Sequence, residues 1–185
     1  MSKLSVCVYC GARSGARASY TEAANALGHG IAARDWRLVY GAGDVGLMGT
    51  VARAAQDAGG DTFGVIPAHL VSMEVGKSDL TRYVVTETMH ERKKVMLMNA
   101  DAVVLLPGGA GSLDEFFAVL TWRQLGLHDK PIVAVSTNGY WTPLMDLLGH
   151  VVGEGFADRT IIDMITVVPD APSALASLEA LFRSR

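Results

Sequence analysis

Apolar residues along this chain gather in seven short runs, most of them separated by stretches long enough for a helix. The runs are 4–10 (LSVCVYC), 37–41 (RLVYG), 62–66 (TFGVI), 83–86 (YVVT), 102–106 (AVVLL), 132–136 (IVAVS) and 165–168 (ITVV). They are apolar on both faces at strand spacing, which is the pattern of a parallel strand covered on two sides. Between them the sequence predicts helices over 19–34, 46–58, 89–99, 112–125, 141–152 and 171–183. In the fourth of these, Leu113, Phe116, Phe117 and Leu120 follow the i, i+3, i+4, i+7 rule, so one stripe faces a sheet.

Strands alternating with helices imply an α/β fold. The expected architecture is a single-domain, Rossmann-like, doubly wound parallel sheet of about seven strands spanning residues 1–185, with helices on both faces. No repeat, linker or low-complexity tract interrupts it. The one stretch without a clear pattern is 67–82, PAHLVSMEVGKSDLTR, read as a mobile lid or a short helix. In such sheets ligands bind beyond the carboxyl ends of the strands, so the loops there carry the functional question.

Composition narrows the classes. With 185 residues, 50% apolar and 19% charged, the chain suits one compact domain. A net charge of −3 without a basic stripe argues against nucleic-acid binding. The opening MSKLSVCVYCG has no signal-peptide pattern and no apolar run reaches membrane-spanning length, so the expected location is cytoplasmic. Cys7 and Cys10 form a C-x-x-C inside a strand, where positions three apart point to opposite faces. They read as buried structural thiols instead of a redox pair. His29, His69, His90, His128 and His150 are scattered without metal-ligand spacing, so no metal is expected.

Three strands run into glycine loops that precede helices: CGARSGARAS (10–19), YGAGDVGLMG (40–49) and PGGAGS (107–112). The segment Gly41-Ala42-Gly43-Asp44-Val45-Gly46 matches a dinucleotide fingerprint. Its expected partner, an acid at the end of the next strand, is missing: Asp61 begins that strand and Pro67-Ala68-His69 follows it. No Gly-Lys-Ser/Thr follows any loop, which argues against a P-loop triphosphatase. Three such loops on one sheet suit a phosphate and the sugar beside it, hence a mononucleotide.

Charged residues sit beside these loops. Met89, Arg92, Lys93 and Met96 share one helical stripe, as either a half-buried anion clamp or an exposed helix with local ion pairs. In LPGGAGSLDEFF, Ser112 and Glu115 fit a capping box, and Asp114 fits an acid at a helix N-terminus. The functional alternative starts from repulsion. A carboxylate beside a bound phosphate costs affinity, so it implies work at a neighbouring atom. One sugar ring from a 5′-phosphate lies the anomeric carbon, whose glycosidic bond breaks through an oxocarbenium-like state that a carboxylate stabilises.

PGGAGSLDE (107–115) together with MHERK (89–93) resembles the paired motifs P-G-G-x-G-T-x-x-E and M-H-x-R-K of the Lonely Guy family. Its members are cytokinin riboside 5′-monophosphate phosphoribohydrolases, once labelled lysine decarboxylases. CVYCGARSG, YGAGDVGLMG, TWRQLGLHDKPI, NGYWTPL and EGF extend the resemblance in order along nearly the whole chain. It implies Arg92 and Glu115 as the catalytic pair and Lys93 as a support for substrate binding. It also implies that Gly108, Gly109, Gly111 and Ser112 hold the phosphate, with help from Gly43 and Gly46, and that Thr121 lines the site. The implied reaction releases free base and ribose 5-phosphate from a nucleoside 5′-monophosphate, without metal or organic cofactor, in a homodimer with sites near the subunit interface. Two departures stand out. Ser112 replaces the usual Thr but keeps its hydroxyl, and GARSG replaces a Ser-rich first loop, with Arg13 or Arg17 as candidates to add charge there. The decarboxylase label fails on chemistry, because that reaction needs an electron sink held by a lysine. The five lysines (Lys3, Lys77, Lys93, Lys94 and Lys130) lie in no such context. The competing class is a non-hydrolytic nucleotide-binding module such as a molybdenum-cofactor carrier, which resembles this fold and also uses glycine-rich phosphate loops.

Overall fold

The computed structural model describes residues 3–71 and 79–183. Seven strands form one all-parallel sheet: β1 (Ser5–Tyr9), β2 (Arg37–Tyr40), β3 (Asp61–Pro67), β4 (Arg82–Thr86), β5 (Ala102–Leu105), β6 (Ile132–Val135) and β7 (Ile165–Val168). Their order is β4-β3-β2-β1-β5-β6-β7. The chain winds outward from β1 to β4, then returns to β5 on the other side of β1. That reversal leaves a crevice above the carboxyl ends of β1 and β5.

Among the described residues eight helices cover the sheet: α1 (Ala18–Ala33), α2 (Gly46–Asp57), α3 (Ala68–Val71), α4 (Met89–Met98), α5 (Ala110–Gln124), α6 (Thr142–Gly153), α7 (Thr160–Asp163) and α8 (Ala171–Arg183). The layers follow from the period-two alternation of strand side chains. Val6, Val8, Cys10, Val104 and Leu106 pack with Leu27, Ile31, Val51 and Leu178 of α1, α2 and α8. Cys7, Tyr9, Val103 and Leu105 pack on the opposite face with Met96, Phe116, Leu120 and Leu148 of α4, α5 and α6. Removing each such large side chain from water contributes roughly 1.5–3 kcal/mol. The central strands β1, β5 and β6 are buried throughout, whereas Val85 on β4 and Val167 on β7 are exposed at the sheet edges.

The two cysteines are free and buried in different layers, as the strand spacing predicts. Burial is the main force pushing both thiols far above their ordinary range; Glu115 adds to the rise and Arg92 opposes it. They stay protonated, so neither is a nucleophile.

All seven expected strands and six expected helices are present within two residues of their predicted bounds. The single-turn helix α7 went unpredicted because four residues are too few to show a period. Of the open stretch 67–82, the short-helix reading holds for Ala68–Val71, while 72–78 lie outside the described residues. Among the described residues no helix is long and apolar enough to cross a membrane.

Candidate active site

The loops after β1, β2 and β5 meet above the crevice. Gly11 N–H donates to Pro107 O (3.0 Å), and Leu47 N–H donates to Gly11 O (3.0 Å), so all three are stitched together. Gly46, at φ +58°, lets α2 start against the backbone of Ala12 and Arg13, where a Cβ would collide. The result is a groove of about 410 Å³, lined by residues 11–15, Tyr20, Leu47, residues 107–109, Gly111, Ser112 and Tyr140. α5 opens onto it at Ala110 with Gly109 as N-cap and no side chain capping it. Its first N–H groups and the helix dipole are therefore available to an anion. Ser112 is buried, and its hydroxyl fills the space a Cβ on Gly108 would need.

α4 reaches the same rim from the edge of the sheet. It starts with a capping box: Thr88 Oγ1 accepts from Glu91 N–H (3.2 Å), and Glu91 Oε2 accepts from Thr88 N–H (3.2 Å). The next residues turn inward. Arg92 is only 5% exposed, and its guanidinium donates through Nη2 to Gly41 O (2.7 Å) and through Nε to Val65 O (3.1 Å). A Cβ at Gly41 would run into Nη2, so this glycine admits the arginine. Lys93 is 6% exposed and donates to both oxygens of Asp114, at 2.9 and 3.0 Å. Glu115 comes from α5 and is 8% exposed. The charges of Arg92 and Glu115 both bear on β1, opposing one another at Cys7 and Tyr9 within the strand and at Cys10 just after it. A buried cation and a buried carboxylate beside an anion cradle make a site that can hold a phosphorylated ligand and stabilise positive charge next to it.

Several expectations change. The stripe of Arg92 and Lys93 is buried outright, not half-buried, and it is no solvated charged helix. Ser112 and Glu115 do not form a capping box, because α5 begins at Ala110 and Ser112 already sits inside the first turn. Asp114 is likewise no helix-terminus acid; it lies in the second turn and partners Lys93. Gly108, Gly109, Gly111 and Ser112 line the groove, whereas Gly43 is buried outside that lining and Gly46 packs on Ala12 and Arg13. Thr121 is exposed and lies roughly 240° round α5 from Glu115. Of the two candidate arginines, Arg13 lines the groove and Arg17 does not.

Sequence reasoning passed over the groove's aromatic wall. Tyr20 and Tyr140 meet edge to face at 5.4 Å, and Tyr140 Oη donates to Gly108 O at 2.7 Å. Only the NGYWTPL segment hinted at the second tyrosine, and nothing near Tyr20 signalled the first. Asn138, at φ +55°, holds the loop after β6 against α1 through a 2.7 Å hydrogen bond to Ser19. Among the described residues no group of three or more potential metal ligands comes together.

Residues 48–178 match the family profile described as "Possible lysine decarboxylase". The chain is 42% identical to a cytokinin riboside 5′-monophosphate phosphoribohydrolase of Rhodococcoides fascians, covering 95% of this chain and 89% of that protein. It is 39% identical to an enzyme of the same name from Arabidopsis thaliana, over 94% of this chain and 82% of the relative. The chain belongs to the Lonely Guy family.

Its fold is shared more widely than its sequence. A molybdenum-cofactor carrier protein of Chlamydomonas reinhardtii superposes with a TM-score of 0.76 over 100% of both chains at 21% identity. The molybdenum cofactor binding protein of Rippkaea orientalis gives 0.74 over 98% and 99% at 20% identity. These likenesses speak to architecture alone. The lysines do not suit the decarboxylase description of the Lonely Guy profile. Lys3 pairs with Asp35, Lys93 with Asp114, and Lys130 with the carbonyls of Leu97 and Ala100, while no described lysine lines the groove.

Proposed function

We propose that the protein hydrolyses the N-glycosidic bond of adenosine 5′-monophosphates, N6-modified or plain, to free base (a cytokinin or adenine) and ribose 5-phosphate. The observation that carries this reading is the burial of both Arg92 on α4 and Glu115 on α5, with the uncapped N-terminus of α5 opening onto the groove. The names of its Lonely Guy relatives support the same reaction.

In this mechanism the 5′-phosphate rests on Gly108, Gly109, Gly111 and Ser112, with Arg13 as a nearby counter-charge. Glu115 then faces the sugar. As the bond from C1′ to the base breaks, its electron pair leaves with the base, and the carboxylate stabilises the oxocarbenium-like ring. Glu115 takes a proton from the attacking water, whose oxygen bonds to C1′, and that same proton passes on to the departing base, which restores the carboxylate. Arg92, anchored on Gly41 and Val65, holds the carboxylate and sugar in register. No step calls on a metal or cofactor.

Incubation with AMP and with isopentenyl-AMP, followed by chromatography for free base, tests this. Base release in proportion to enzyme is the expected result. Tight binding without release would favour the carrier reading. We also propose a homodimer formed through the outer face of α4 and α5. Met98 (70%), Leu125 (66%) and Leu127 (70%) are exposed there, and Met98 and Leu127 line a hollow of about 240 Å³ with Lys94, Leu97, Trp122 and His128. Thr121 belongs to that exposed side of α5, which fits a place near the subunit interface. Sedimentation at micromolar concentration reads the assembly, and a monomer there would refute it. Cytoplasmic location, expected from the sequence, is part of the same proposal.

A further inference from the structure

The contact between Lys93 and Asp114 joins two helices that reach the site independently. α4 follows the edge strand β4, and α5 follows β5, with β3, β2 and β1 lying between those strands in the sheet. The bridge crosses their seam one residue from each member of the pair, since Lys93 follows Arg92 and Asp114 precedes Glu115. Arg92 needs no such help, because its guanidinium is held by carbonyls of β3 and of the loop after β2. α5 is held along its length by Phe116, Val119 and Leu120 packed on the sheet and by Arg123, which donates to Lys130 O and Met164 O, while its first turn is glycine-rich and without a side-chain cap.

The charges fit the same role. The Lys93 side chain is 8% exposed, and an ammonium is buried this far only when a counter-charge meets it. Asp114 meets it with both oxygens, although its own side chain is 55% exposed. A cation already matched by a carboxylate has little left to offer a phosphate.

We infer that the Lys93–Asp114 bridge is a positioning clasp that fixes α5 against α4 and so sets Glu115 relative to Arg92, and that Lys93 is not a substrate ligand. The clasp rests on the hydrolysis proposed above. Helix rotation matters here because neighbouring residues on a helix differ by 100° in direction. A small turn of α5 therefore moves the Glu115 carboxylate away from the anomeric carbon, and displacements of about 1 Å cost on the order of 100-fold in rate.

The test measures kcat and KM for AMP, with a thermal melt of each protein and turnover referred to the folded fraction. The variants are Asp114→Asn, Asp114→Glu, Lys93→Gln and the double variant Lys93→Gln/Asp114→Asn. Each charge-removing single variant is expected to lose about 10- to 100-fold in kcat, with KM changed by no more than about threefold. The double variant should be no worse than the poorer single one, because the bridge is already broken. Asp114→Glu keeps the charge and should recover most of the loss. A large rise in KM at unchanged kcat for Lys93→Gln would make Lys93 a substrate ligand and overturn the clasp. So would additive losses, or a lowered thermal midpoint with kcat per folded molecule intact. Absence of base release from the unaltered protein would refute the hydrolysis itself. Normal release with an undiminished Asp114→Asn would refute only the clasp.

Discussion

The two helical layers cover the same sheet with opposite chemistry. On one side α1, α2 and α8 bury Leu27, Ile31, Val51, Leu175 and Leu178 against alternate strand residues, and no charged side chain among the described residues is buried there. On the other side α4 and α5 contribute apolar residues too, yet they also carry Arg92, Lys93 and Glu115 into the interior. Buried charges are costly unless paired, and apolar groups of similar volume would stabilise the fold at least as well. The first layer therefore anchors the sheet, and the second accepts a less stable interior in exchange for chemistry. The same second layer keeps Met98, Leu125 and Leu127 exposed on its outer surface, whereas most large apolar side chains of α1, α2 and α8 are turned inward.

That contrast can be broken from either side. The largest effect is expected at the pair. Glu115→Gln or Arg92→Ala should lower base release by about 10³-fold or more, read by chromatography of AMP digests. Glu115→Gln should leave the protein folded, read as a cooperative thermal melt, because the neutral isostere keeps the shape of the buried side chain. Near wild-type turnover by this variant would contradict the proposed chemistry. Arg92→Ala should also destabilise, since it leaves the carbonyls of Gly41 and Val65 without their donors.

The opposite layer should respond in the opposite sense. Leu27→Ala, at a fully buried position on α1, should cost about 3 kcal/mol in urea unfolding while kcat per folded molecule stays the same. A loss of kcat without a loss of stability would erase the distinction between the layers.

The smallest effect is expected at the outer hollow beside α5. Burial holds the His128 imidazole below its ordinary value of 6.5. Its Nε2 lies 2.9 Å from Val119 O, and its Nδ1 accepts from Lys130 N–H. The neutral ring is favoured in the folded state, so its contribution is complete above about pH 6.5 and fades as pH falls toward the lowered value. Thermal midpoints at pH 7.5 and 5.5 should show a slightly larger drop for the wild type than for His128→Gln. Equal drops would leave His128 with no part in the pH response.

Local rules worked where neighbours in sequence are neighbours in space. Period-two spacing separated Cys7 from Cys10, and apolar stripes located the helices. Three glycine loops after strands marked the rim that the structure stitches together at Gly11, Pro107 and Leu47. The same rules failed at Ser112. The pattern of a hydroxyl residue followed three positions later by Glu occurs at Ser19–Glu22, Thr88–Glu91 and Ser112–Glu115, and only the second is a capping box. Which one caps depends on where each helix starts. For α5 that point is set by a loop held against Gly11, far away in the chain.

The chain's own pattern thus determined the sheet, its two layers, the glycine rim and the identity of the charged residues beside it. Alternation and helical period are local properties, so they survive without knowledge of the fold. Tertiary structure alone decided that Arg92 is anchored by β3 and the loop after β2, and that Lys93 meets Asp114, 21 residues away. It alone joined Tyr20 to Tyr140 as a wall of the groove and left Thr121 exposed on α5, outside that lining. Such pairings depend on which strands lie side by side. That order follows from the packing of the whole sheet, and no window of sequence contains it.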